Sequence, residues 1–226
     1  MNINKDIFSL TFGVQFNNTF KILDKWGEIA DSILKNKKHF PDHFFPEITS
    51  NYTMDRVLFN PNGHKLHLTS NNLVFTQILE KGNFDSDFSQ FESRIKEYII
   101  PEIVVKNQLV ATRLGAVYSC KLEDEEINKF AKKYFNPEIN GISDFRFAKK
   151  EKTLEGSIWQ GTDNFINKIF LVGRIESNKG ISYDFQLHFV PPQSEIRDKI
   201  GSFLLESKKQ FNKDIVDVIE GSNGKK

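Results

Sequence analysis

From Phe8 to Phe16 every even-numbered residue is apolar and every odd-numbered one is small or polar. A period of two over that length predicts a strand with one buried face and one polar face. The same alternation returns late in the chain. Ile181, Tyr183, Phe185, Leu187 and Phe189 mark one side, and Ser182, Asp184, Gln186 and His188 the other, until Pro191 and Pro192, which are expected to end that strand. Between these two strands the period changes repeatedly. Leu23, Trp26, Ala30 and Ile33 recur at helical spacing, with Asn18 or Thr19 as the cap. Phe84, Phe88, Phe91, Ile95 and Ile99 form a second helical stripe, which Pro101 is expected to stop. Ile127, Phe130, Ala131 and Tyr134 form a third behind Asp124. A last stripe runs from Ile196 to Ile219, with Gly221 as its C′ residue.

The remaining segments read as strands and turns. Residues 52–59, 64–69 and 73–79 are expected strands, with a turn at Asn60-Pro61-Asn62-Gly63 in which Gly63 takes positive φ, and a second around Ser70-Asn71-Asn72. Strands are also expected over 109–122, 145–149, 157–160 and 166–175, and loops over 36–50 and 136–143. The order strand, helix, strands, helix therefore runs twice, over residues 1–107 and 108–221, with 222–226 as a flexible tail. Strands with one polar face belong to antiparallel sheets covered on one side. The expected fold is a single α+β domain of two pseudo-repeated β-α-β-β-β-α units, forming a curved antiparallel sheet with helices on one face.

Composition sharpens this only in part. The 22 Phe among 226 residues point to an aromatic-filled core, and a net charge of +1 removes a dominant pull toward nucleic acid or acidic membranes. A lone cysteine, Cys120, leaves no intramolecular disulfide and no multi-cysteine metal site, and its strand parity with Leu114, Ala116 and Tyr118 marks a buried structural thiol. With no signal-like apolar run at the N-terminus and no membrane-length segment, a cytoplasmic protein without membrane association is expected.

Several segments together resemble a sporadically distributed family of uncharacterised bacterial proteins. They are Gly63-His64-Lys65-Leu66-His67-Leu68-Thr69-Ser70-Asn71-Asn72-Leu73, Arg113-Leu114-Gly115-Ala116-Val117-Tyr118, Tyr183-Asp184-Phe185 and the closing helix around Phe211. The family's strand centre reads Arg-Leu-Gly-x-Arg-Tyr, and here Val117 stands in place of the second basic residue. The family's patchy distribution implies mobile or anti-phage defence genes. The duplicated plan is also similar to the TATA-box-binding-protein-like saddle, whose members use an open sheet face to bind nucleic acid or protein. Fold alone does not assign function.

Candidate chemistry is sparse. His64 and His67 stand at odd separation on a strand and point to opposite faces, and Pro41 breaks the helical spacing of His39 and His43, so no metal site is expected. Pro41-Asp42 with Glu206 and Lys208 does not place a nuclease-like acidic pair on one strand. No phosphate loop, nucleophile elbow or dinucleotide fingerprint occurs, and no cofactor or catalytic residue is assigned. Arg113 faces the polar side of its strand. Arg56, Arg113, Arg146, Lys168, Arg174, Gln186 and His188 are the candidates to line one open surface for an anionic ligand, against the competing reading of a solvated, cross-paired sheet face. The function expected is a non-catalytic binding or adaptor subunit of a bacterial multi-component system, with a protein partner or a homodimer. The alternative is nucleic-acid or nucleotide binding through the polar sheet face.

Overall fold

The computed structural model describes residues 6–17, 19–41, 44–47, 55–79, 83–134, 145–153, 163–175 and 178–220. Among them the chain is α+β, with nine strands in one antiparallel sheet that does not close into a barrel. In chain order the elements are β1 (Ile7–Phe16), α1 (Lys21–Asp24), α2 (Trp26–Lys35), β2 (Phe45–Glu47), β3 (Asp55–Phe59), β4 (Lys65–Thr69), β5 (Asn72–Ile78) and α3 (Phe84–Arg94). The second half supplies β6 (Ala111–Lys121), α4 (Asp124–Tyr134), β7 (Phe145–Lys152), β8 (Phe165–Ile175), β9 (Asn178–Gln193), α5 (Ile200–Phe211) and α6 (Asp217–Glu220).

The spatial order is β2-β3-β4-β5-β1-β6-β9-β8-β7. It reads nearly as a palindrome about the β1–β6 pair. In each half the first strand sits beside the last, with the middle strands outside, which is the duplicated plan in three dimensions. Gly13 lies opposite Gly115 at the middle of that central pair.

The even-numbered residues of β1, namely Leu10, Phe12, Val14 and Phe16, are buried, as are Leu114, Ala116, Tyr118 and Cys120 on β6 and the odd-numbered series of β9. They join the apolar stripes of the helices in one continuous core running through both halves. Each half contributes its own aromatic packing. Phe40 meets Phe75 and Tyr98 edge-on in the first, while Phe147 stacks on Phe170 at 4.4 Å and Tyr118 on Phe211 at 4.7 Å in the second. Such pairs contribute about 0.5–1.5 kcal/mol each beyond their burial. Cys120 is fully buried, and desolvation pushes its thiol well above the ordinary range.

Three expectations need correction. The segment expected as a loop over 36–50 contains β2, a three-residue edge strand paired with β3. It is too short for periodicity to reveal, and Pro46 is tolerated because an edge strand has one unpaired side. The second helix does not stop at Pro101. It continues from α3 as a π-helical stretch, Ile95–Val105, whose wider turn accommodates a residue with no N–H, and Ile99, Ile100, Ile103 and Val104 anchor it in the core. Finally, β9 passes through Pro191 and Pro192 to Gln193. The last β8 partner, Phe165, lies opposite His188, so the prolines sit beyond the ladder on that side, and the Val190 N–H is donated to Asn164 Oδ1 at 2.8 Å. The expected strand over 157–160, the loop over 136–143, Gly221 and the tail lie outside the described residues.

Gly63 takes the expected positive φ, +83°. A closer constraint falls on Gly180. A Cβ there would collide with the backbone carbonyl of Cys120 on the neighbouring strand, which cannot swing aside. Gly180→Ala should therefore destabilise the protein by about 1–3 kcal/mol, as overpacking does. The check is a urea denaturation midpoint compared with Gly13→Ala, where the added Cβ meets only ordinary contacts at 3.7 and 4.0 Å.

Candidate binding face

All helices pack on one side of the sheet, and the other side is bare among the described residues. Strand registers define rows across this bare face. One row runs Val74, Gly13, Gly115, Gln186, Asn167, Lys150, and the next Gln15, Arg113, His188, Phe165, Lys152. On the other flank Thr11, Val117, Asp184 and Ile169 follow one another. Because the facing glycines carry no side chains, a hollow of about 180 Å³ opens over the central strands, rimmed by Gln15, Arg113, Val117, Asp184 and Gln186.

A hydrogen-bonded chain forms one wall. Gln186, almost wholly buried, donates from Nε2 to Asp184 Oδ2 at 2.5 Å. Its Oε1 accepts from Arg113 Nη1 at 3.4 Å and lies 3.1 Å from His188 Nε2. The His188 ring stacks on Phe165 at 4.4 Å, and Lys150 Nζ sits 3.9 Å from the Phe165 ring centre. Burial raises the Asp184 carboxyl above its ordinary range, against the hydrogen bond from Gln186 and the charges of Arg113 and Arg146. Burial also lowers the His188 imidazole, and the charges of Arg113 and Lys150 lower it further, all of which favour the neutral ring.

The seven sequence candidates divide cleanly. Arg113, Gln186 and His188 come together, and Arg146 of β7, opposite Leu171 of β8, shares their face. Lys168 does not. It lies opposite Phe185 on the helix-covered side, where its Nζ meets Asp214 at 3.0 Å, Glu151 at 3.2 Å and Gln210 Oε1 at 2.8 Å. Arg56 lies opposite inward-facing Leu68 on the far half of the sheet and donates to the Asp55 carbonyl. Arg174 is exposed near the end of the β8–β9 pair, opposite Lys179 and with the parity of buried Val172. Parity alone separates these residues from the site, since Lys168 and Arg174 are in step with Phe170 and Val172, and Arg56 with Leu58. Sequence reasoning missed the hollow over Gly13 and Gly115 and the platform of Phe165 and Lys150, because both depend on which strands become neighbours.

The other candidate sets stay apart. His64 Nδ1 accepts the Ile78 N–H, His67 Nε2 stands 3.4 Å from Asp55, and His39 is buried beside Glu97. Asp42 and His43 lie outside the described residues. Among the described residues no three His, Cys, Asp or Glu side chains gather closely enough to hold a metal ion, and no helix is long and apolar enough to cross a membrane. In comparisons with known proteins, the chain matches no protein-family model and no curated protein.

Two outcomes follow from the geometry. Asp184 titrates above its ordinary 3.8 in the folded protein, so its ionisation costs more folded than unfolded, and its contribution to stability is lost as pH rises through the folded value. Asp184→Asn should raise the denaturation midpoint at pH 7 relative to the parent and converge with it at acid pH. Lys168→Met should cost about 3 kcal/mol in denaturant unfolding, because Asp214, only 14% exposed, is left without its cation.

Proposed function

We propose that the protein is a non-catalytic binding or adaptor subunit that docks a protein partner on its open sheet face. The observation that carries this reading is a nine-stranded sheet whose bare side holds a hollow walled by an ordered polar network. A solvated face needs neither a buried glutamine nor a desolvated carboxylate, and burying them costs stability that their hydrogen bonds only partly offset. The similarity of the duplicated plan to the TATA-box-binding-protein-like saddle supports the same side of the sheet. The family resemblance adds a setting, a bacterial multi-component system such as anti-phage defence.

A second reading, nucleic-acid binding, is favoured by one observation. Arg113, Arg146, Lys150 and Lys152 gather on the same half of the open face.

The deciding experiment is affinity purification from a bacterial host carrying the neighbouring genes. A stoichiometric protein should accompany the parent and Lys129→Glu on the helix side, and bind about tenfold or more weakly to Val117→Glu, which puts a carboxylate at the hollow. Retention by Val117→Glu with loss from Lys129→Glu would overturn the reading. Co-purifying nucleic acid that is released by salt would transfer it to the second.

A further inference from the structure

The two halves of the open face carry different charge. Among the described residues, the half built from β6, β7, β8 and β9 presents Arg113, Arg146, Lys150 and Lys152 against Asp184. The half built from β2, β3, β4 and β5 presents, among the described side chains, Asp55 against Lys65, with no excess of cations. A near-neutral chain has thus concentrated its open-face cations on one side of the central hollow.

The aromatic arrangement decides what kind of anion fits. Phe165 packs its ring against His188 within 9° of parallel, and Lys150 sits over the same ring system. Single-stranded nucleic acid gains much of its affinity by stacking bases on free aromatic faces. Here the ring is already engaged from its neighbours on both flanking strands. Asp184, at the edge of the cationic rows, would also repel a run of phosphates. Discrete carboxylates can be placed around it.

The hollow adds an apolar requirement. Its floor is backbone at Gly13 and Gly115, with Val74 and Val117 beside it. A cavity of about 150 Å³ holds a benzene ring, so 180 Å³ accommodates one aromatic or large aliphatic side chain.

Building on the docking role proposed above, we infer that the occupant is an acidic segment of the partner protein. It seats one apolar side chain in the hollow over Gly13 and Gly115 and lays its carboxylates on Arg113, Lys150 and Arg146. The anchor residue supplies burial, and the flanking acids fix the direction in which the segment crosses the sheet.

The test is selection of a displayed random-peptide library on the full-length protein, followed by fluorescence-anisotropy titration of the enriched peptides. The enriched sequences should share acidic residues around a single aromatic or large aliphatic one. Arg113→Gln/Lys150→Gln should weaken them about tenfold, and raised salt should weaken them further. Gly13→Ala/Gly115→Ala narrows the hollow without backbone strain, since each new Cβ lies at ordinary contact distance, nearest neighbours at 3.7 Å. It should weaken binding while leaving the unfolding midpoint at or above the parent's. Enriched peptides without acidic residues, or acidic ones unaffected by either double substitution, overturn the inference. So does tighter binding of oligo(dT) than of any selected peptide. A partner lost from Val117→Glu yet indifferent to Arg113→Gln/Lys150→Gln would leave the docking role standing and remove only the acidic segment.

Discussion

The antiparallel pairing of β1 with β6 is the joint on which both halves hang. Each half hangs its remaining strands outward from one member of this pair, and the two sets of helices meet over it. The joint works because both strands keep strict alternation. A slip of one residue would turn Phe12, Val14, Leu114 and Tyr118 out of the core together. The register that satisfies both buried series also brings Gly13 opposite Gly115, so the hollow is a consequence of the same constraint that fixes the fold.

Among the described residues only one side of the sheet is covered, and this divides the chemistry. Apolar side chains are drawn to the helical side by burial, and the bare side retains what the core does not need. On that side the pseudo-symmetry of the backbone is not matched by the side chains. The cations cluster over the second half, at Arg113, Arg146, Lys150 and Lys152, while over the first Asp55 is balanced by Lys65. A symmetric frame carrying an asymmetric surface is suited to a partner that must bind in one orientation.

Much of this was legible in the sequence, and the gaps have physical causes. Alternation in β1 and β9, the helical stripes, the turn at Gly63 and the buried Cys120 are local signals that the fold has no reason to override. β2 was not legible, because three residues carry no period and only the neighbouring strand defines them. The passage of a helix through Pro101 was hidden because the penalty assumed an α-helical turn, while a run of Ile and Val supplies core contacts that hold a wider one. At the site, Arg113, Gln186 and His188 were found by parity on their own strands. Lys168, Arg56 and Arg174 were drawn in by charge, although the parity that places them off the site was already in the sequence. The Gly13–Gly115 hollow required knowing that strands about a hundred residues apart become neighbours.

Asp184 shows why the wall of the hollow holds together. An ionised carboxylate can only accept hydrogen bonds, so its contact with Gln186 fixes the amide with nitrogen toward Asp184 and oxygen away from it. That oxygen then faces Arg113 and the His188 ring, both of which can donate to it. A neutral imidazole must carry its proton on Nε2 to do so, which leaves Nδ1 as an acceptor. One desolvated carboxylate therefore orients, through a single buried amide, the oxygen that faces His188 and Arg113 at the edge of the hollow. Desolvation raises its carboxyl, so the ionised form is held at a cost in stability, and the ordered wall is what that cost maintains.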